Sequence, residues 1–356
     1  SPPGDTLLEL LDERGMTQTE LAERTGRPIK TINGIIKGHK AITAETALQL
    51  ERVLSVPARF WLAREQEYRE FLARQAESEA LRPYLSWVDN FPVAAMQRLG
   101  WLPSAPTPQQ RLVDLLQYFG LAHPDSWADV WADCLVSYRQ AKAYASDDYA
   151  LSAWLRQGEI EAQALRCAPY DAKRFAALLH GELRQLTTSR SLPEIAARLP
   201  ALCAEAGVAV ALVPQVAGAR VSGATRWLSK EKALIQLSLR YKRDDQLWFT
   251  FFHEAGHILL HGKRDVFIDL EQPGSPSQKE AEADRFAADL LIPPEAYVAF
   301  LEGRNGRFFS KEAVQQFATR VGIAPGIVVG RLQHDGHLPP THLNGLKQKL
   351  DWSTLR

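Results

Sequence analysis

Along the first 75 residues the apolar positions recur at three- and four-residue spacing in short stretches, broken by Gly15, Gly26, Gly38 and Pro57, which predicts a small all-helical unit. A charged stretch from Arg64 to Arg82 keeps the helical pattern and stops at Pro83. Between about 84 and 127 the chain is rich in Pro and Trp; amphipathic patterns return at Tyr149–Cys167 and Asp171–Leu186, which predicts a helical middle region. From Gly207 the period changes. Val208–Val213, Thr225–Leu228 and Ala233–Leu239 are β-branched or alternating, with Gly and Pro between them, and read as three short strands. Helical patterns follow at about 244–262, 278–291, 310–320 and 324–333, with Pro293-Pro294 closing the second. The expected fold is mainly α with an α+β C-terminal domain. Its divisions are 1–75, a helical head; 76–205, a helical linker or middle region; 206–340, the α+β domain; and 341–356, a C-terminal tail.

Length agrees, since 356 residues correspond to two or three domains. The 42 basic residues balance 42 acidic ones, which argues against a uniformly polyanion-coated or membrane-surface protein but leaves room for a local basic face. Apolar runs such as Gly207 to Pro214 fall far short of the roughly 18 residues that span a bilayer, and no apolar export signal follows the N-terminus, so a soluble cytoplasmic protein with no membrane partner is expected. Cys134, Cys167 and Cys203 are odd in number and widely spaced, which suits neither a disulfide framework nor a Cys-based zinc knuckle.

Chemistry enters at two places. Thr17-x-x-Glu20 is a capping-box pattern that starts a helix, Gly26 allows the turn that ends it, and Pro28 suits the start of a second helix running to Lys37. This is the layout of a helix-turn-helix. In that geometry Lys30, Thr31 and Asn33 reach base edges or phosphates, Gln18 sits where the first helix meets the DNA backbone, and Ile29, Ile32 and Ile36 pack inward. From Arg24 to Lys40 there are five basic residues, Arg24, Arg27, Lys30, Lys37 and Lys40, and no acidic one. Arg27 and Lys37 therefore join the candidate DNA contacts. The alternative is a plain helical hairpin with a solvated charged face.

The second place is His253-Glu254-Ala255-Gly256-His257, an H-E-x-x-H pattern inside an apolar helical stretch, where the i, i+4 spacing sets both imidazoles on one face. A catalytic zinc ion needs a third protein ligand. His261 continues the same row, but one straight helix wraps three imidazoles around a tetrahedral ion poorly. Glu280 on the following helix fits better, with Asp284 one turn later placed to hydrogen-bond a ligand histidine. Asp284 as ligand with Glu280 in support stays open, as does a merely charged helix face; Glu282, about 200° around from Glu280, is expected to be solvated.

Two resemblances sharpen these readings. MTQTELAERTGRPIKTINGIIKGHKAITAETALQLERVLSVPARFWL resembles the phage-repressor type of helix-turn-helix, in the branch found in HigA-type antitoxins; it departs at Arg27-Pro28-Ile29, where many relatives carry a small polar cap. HEAGHILLHG followed by KEAEADRFAADLLIP is similar to the ImmA/IrrE family of metallo-endopeptidases, with Asp284 where that family usually has Asn. The likeness extends through RVSGATRWLSKEKALIQLSLRYKRDDQLWF and GIAPGIVVGRLQ. It implies a gluzincin-like domain in which His253, His257 and Glu280 hold Zn2+, Asp284 supports them and Glu254 is the general base. The strand Ala233–Leu239 is expected to pair with an extended substrate, while Tyr241, Arg220 and His261 are eligible oxyanion donors with none assigned.

The implied function is a DNA-binding transcriptional regulator whose zinc endopeptidase cleaves a repressor-type protein, in cis or in trans, to relieve repression. The alternative is an antitoxin-like autorepressor that binds a toxin and uses the zinc domain as a sensor or scaffold; a purely structural zinc ion is a poorer match, since such sites favour Cys. Double-stranded operator DNA with paired half-sites implies a homodimer. Ser310–Gly330, with Gly322 in its turn, has the look of a second helix-turn-helix but is expected to be core packing, and no cysteine spacing points to the metal.

Overall fold

A computed structural model describes residues 1–131, 147–262, 267–269, 278–303 and 308–355; Cys134 lies outside them. The chain divides into two compact units, Ser1–Leu85 and Ser86–Arg356.

The first unit is five helices: α1 (Pro3–Glu13), α2 (Gln18–Thr25), α3 (Ile29–Ile36), α4 (Ala44–Leu54) and α5 (Ala58–Leu81). Thr17 caps α2 by accepting from the Glu20 amide at 3.1 Å, while the Glu20 carboxylate pairs with Arg24 one turn on instead of reaching back to the cap. Gly26 ends α2 in the left-handed region, φ 66°, where a residue without Cβ is unstrained. The core joins Leu7, Leu21, Ile32, Ile35, Leu50 and Trp61. Ile29, expected inside, is 42% exposed, whereas Ile36 packs at the core's margin and Ile35 lies within it. The reason is where α1 touches α3: a Cβ on Gly4 would sit 2.3 Å from the Ile36 carbonyl oxygen, so α1 covers the last turn of α3 and leaves the first uncovered.

In the second unit β1 (Val208–Leu212), β2 (Gly223–Ser229), β3 (Lys232–Leu237) and β4 (Phe267–Asp269) form a mixed sheet in the order β1-β3-β2-β4, one short strand more than the pattern predicts. β3 pairs parallel with β1 and antiparallel with β2, with Thr225 opposite Ile235. Both edges of β3 are thus occupied, and the expected strand addition of a substrate at Ala233–Leu239 is corrected: alternation reveals faces, not neighbours. Between the head and the sheet come α6 (Val93–Arg98), α7 (Pro108–Phe119), α8 (Asp148–Ala164), α9 (Ala172–His180), α10 (Glu182–Leu186) and α11 (Leu192–Ala204).

Helices cover both faces, so β1 and β3 read as nearly continuous apolar runs. On one face lies α8: Trp154 Nε1 donates to the Val213 carbonyl at 3.1 Å, and Gln236 donates to the Trp154 carbonyl. Gly158 lets α8 close on this side chain, since a Cβ would fall 2.0 Å from Gln236 Oε1. On the other face Val208, Val210, Ile235 and Leu237 share a core with α12 (Asp244–Leu260) through Phe251, Phe252 and Ala255. Then follow α13 (Gln278–Leu291), α14 (Pro294–Glu302), α15 (Lys311–Val321) and α16 (Pro325–His334). Val314, Phe317, Val328 and Val329 are buried, so the helical pair around Gly322 is core packing.

The last residues tie down the start of α12. Asp244 and Gln348 exchange two hydrogen bonds of 3.0 and 2.9 Å, and the buried Asp245 pairs with Lys347 at 2.5 Å. Among the described residues no helix is long and apolar enough to cross a membrane.

Candidate metal centre and helix-turn-helix face

His253, Glu254 and His257 occupy the middle of α12, 4%, 0% and 2% exposed. The next helix comes close because Gly256 has no side chain: a Cβ there would lie 3.3 Å from Ala283 Cα and 3.1 Å from Phe286 Cδ1. Arg184 holds the far end of α13 by donating to the carbonyls of Leu290 and Leu291 at 3.0 and 3.1 Å, which satisfies two orphan acceptors of the helix terminus. Glu280, one turn before Ala283, is thereby brought to the histidines.

The three side chains converge. His253 Nε2 and His257 Nε2 are 3.0 Å apart, and Glu280 Oε2 lies 3.2 and 3.6 Å from them. All three donor atoms fall within 4.8 Å of one another, the spacing of a shared ion. Burial pushes the Glu280 carboxyl up, but the two imidazoles beside it, when no ion is bound and Nε2–H groups face it, hold it at about 2, so it stays ionised. Burial pushes His257 below the usual imidazole value, against the opposing effect of Glu280, so it stays neutral.

Each histidine is also held from behind. His253 Nδ1 lies 2.9 Å from Asp284 Oδ1, and His257 Nδ1 lies 3.0 Å from His261 Nδ1, whose Nε2 is 3.2 Å from Glu282 Oε2. A carboxylate only accepts, so His253 Nδ1–H donates to Asp284 and His261 Nε2–H donates to Glu282. His261 Nδ1 is then an acceptor for His257 Nδ1–H. With Nδ1 of each imidazole carrying the proton, both Nε2 lone pairs and the ionised carboxylate converge as three ligand atoms, and such a set fits a divalent cation. Glu282 is exposed, as expected, and from that position also meets His261; His261 stands behind His257 and not in line as a third imidazole. Spacing alone misses this because Glu282 faces His261 only once α13 is laid beside α12.

Glu254, on the helix face next to the histidines, points to the sheet. A Cβ on Gly223 would lie 2.6 Å from Glu254 Oε1 and 2.5 Å from Thr250 Cγ2, and Thr225 Oγ1 donates to the Glu254 carbonyl at 3.2 Å. The bare start of β2 makes the room this carboxylate occupies. Cys203 is buried in the core on α11 and is not among the converging ligand atoms, and Arg220 and Tyr241 lie on loops outside the ligand set.

In the head, α2 and α3 meet as a helix-turn-helix across Gly26. Lys30 and Lys37 are exposed, Gln18, Thr31 and Asn33 are half-buried, and Lys40 Nζ donates to Thr31 Oγ1 at 3.3 Å. Arg27 is spent elsewhere: its Nε donates to Gln49 at 2.6 Å and its NH2 pairs with Glu45 at 2.9 Å, both on α4. Its place in the turn brings it against α4, which pattern alone does not show, so it braces the head instead of facing outward.

The two units therefore define a helix-turn-helix protein with a metallopeptidase-type domain. Comparison with known families agrees: residues 7–61 match the family described as helix-turn-helix, and residues 210–333 match the peptidase family described as the IrrE N-terminal-like domain. Two solved structures are similar to part of the chain. One is a putative antidote protein of a plasmid maintenance system from Nostoc punctiforme, at 27% identity, covering 24% of this chain and 92% of that one with a TM-score of 0.23. The other is an addiction module antidote protein of a HigA family from Coxiella burnetii, at 27% identity, covering 23% and 91% with a TM-score of 0.22. No curated protein matches the chain.

Proposed function

We propose that this protein is a DNA-binding transcriptional regulator whose C-terminal domain is a zinc endopeptidase that cleaves a repressor-type protein and so relieves repression. The observation that carries the proposal is the convergence of His253, His257 and Glu280 with the fully buried Glu254 beside them. His253 Nε2, His257 Nε2 and Glu280 Oε2 would hold the ion; among divalent ions zinc suits two imidazoles and one carboxylate. When bound, zinc supplies a Lewis acid that acidifies water and polarises a carbonyl. Asp284 and the His261–Glu282 relay keep the imidazoles in the ligating tautomer. Glu254 takes a proton from the attacking water on its carboxylate and returns it to the departing amine nitrogen. Glu254 is fully buried beside Gly223, Thr225 and Thr250, and the exclusion of bulk water there strengthens each charge interaction.

In the head, Lys30, Thr31, Asn33 and Lys37 would meet operator DNA, with Gln18 at the backbone. Two such heads on paired half-sites would bind as a homodimer. The test is incubation of the zinc-loaded protein with repressor-type helix-turn-helix proteins and with its own residues 1–85, alongside Glu254→Gln. Cleavage by wild type alone is expected. Operator and toxin binding with no cleavage of any partner would favour the antitoxin reading instead.

A further inference from the structure

Behind His253, on the side away from Glu280, α12, α13 and α16 line an open cavity of about 410 Å³, within the range of small-molecule sites. Its apolar lining includes Phe249, Ile292 and Ile327, and Asp284 stands half exposed in its wall, the same carboxylate that lies 2.9 Å from His253 Nδ1. The other charges around it are matched. Asp245 pairs with Lys347 at 2.5 Å, Asp335 takes Arg331 Nε at 2.6 Å while that guanidinium stacks over Tyr297, and Arg285 and Asp289 are exposed at the rim. The cavity is thus an apolar bed with the half-exposed Asp284 carboxylate at its edge, where its neighbour is His253 Nδ1.

We propose that this cavity is an effector site for a small apolar primary amine, whose ammonium group binds Asp284 and whose hydrocarbon body lies on Phe249, Ile292 and Ile327. Apolar contact supplies the affinity and the carboxylate the choice of cation. Binding is coupled to the metal centre. An ammonium on Asp284 draws negative charge away from His253 Nδ1–H and makes Nε2 a weaker donor, so the amine lowers zinc affinity and zinc lowers amine affinity by the same factor. The coupling rests on the zinc reading above; the amine site does not.

The experiment uses the full chain and L-leucinamide, with isocaproate as a probe that carries a carboxylate in place of the ammonium. Leucinamide binds the metal-free protein saturably by calorimetry, isocaproate does not, and Ala288→Phe, which fills the cavity, abolishes binding. Saturating leucinamide then raises the zinc dissociation constant, measured by chelator competition, about 5- to 20-fold in wild type and leaves it unchanged in Ala288→Phe. If Ala288→Phe does not fold, Asp284→Asn in the metal-free protein serves, and it too loses leucinamide. Equal binding of isocaproate, or leucinamide binding that survives both substitutions, overturns the site. Leucinamide binding with no change in zinc affinity overturns the coupling. Failure of zinc to bind at all overturns the zinc reading and leaves the calorimetric result to judge the cavity.

Discussion

The head and the metal centre solve opposite problems. The head displays its functional side chains: α3 keeps Ile32 and Ile35 inside and leaves Lys30 and Lys37 in solvent, so its chemistry needs only one helix correctly started and stopped. The metal centre hides its side chains, and each depends on a second element arriving within a few tenths of an ångström. Glycine marks the difference. Gly26 in the head works through its own backbone angle, φ 66°, whereas Gly223 and Gly256 work through the atoms they lack, Gly223 opposite Glu254 and Gly256 opposite Ala283. A displayed site should therefore tolerate change nearby, and a buried one should not.

The sharpest break is expected at Glu254 and its cradle. Glu254→Gln should lower cleavage by at least about 10³-fold while zinc affinity by chelator competition stays near wild type, because general-base work is lost and the ligands are untouched. Gly223→Ala should lower cleavage roughly tenfold or more at preserved zinc affinity, since its Cβ, 2.6 Å from Oε1, forces the carboxylate aside. Full cleavage by Gly223→Ala would mean that the carboxylate has slack.

Next in size is the relay. His261→Ala should weaken zinc binding by about 10- to 100-fold, and Glu282→Gln by less, because His257 loses the partner that fixes its tautomer. Unchanged affinity in both would reduce His261 to packing.

What was legible follows the same division. The i, i+4 histidines and the i, i+4 pair Glu280 and Asp284 each lie on one helix, where spacing dictates facing, and the structure brings them together. The Thr17 cap and the Gly26 turn are likewise local, and both stand where the pattern sets them. The His261–Glu282 contact, the central position of β3, the cover of α8 over the sheet and the turn of Arg27 toward α4 are all long-range, and no period along the chain encodes which element arrives beside which. Ile29 shows the limit on a single helix: its apolar character agrees with an inward face, yet the place of α1 decides what is covered.

Burial also makes the second unit pH-sensitive in a way that can be signed. Burial pushes the Asp244 carboxyl up to about 6 from 3.8, against its hydrogen bonds from Gln348 and Asp245. A raised value means that the folded state holds the proton more tightly than the unfolded one. The stability from this group is fully present below about 4, falls as pH rises to about 6, and is flat above. Asp244→Asn keeps Oδ1 as acceptor and removes the buried charge, so it should gain about 2 kcal/mol at pH 7 and little at pH 4, read by urea melts at both pH values. An unchanged slope between pH 4 and 6 would assign the pH dependence to other groups.

The smallest effects lie in the head, and there the comparison turns on two cations. Arg27 is bonded to Glu45 and Gln49, so Arg27→Ala should cost the head about 0.5 to 1 kcal/mol in stability and leave the salt dependence of operator binding as it was. Lys30 is exposed in the first turn of α3 with no such brace, so Lys30→Ala should leave stability within about 0.5 kcal/mol and lower the salt slope by about one phosphate contact. Melting and salt-titrated operator binding of the two variants separate these roles. If Arg27→Ala instead changes the salt slope and Lys30→Ala does not, Arg27 leaves α4 on binding, and the head would share with the metal centre a dependence on a second element that its displayed helix does not reveal.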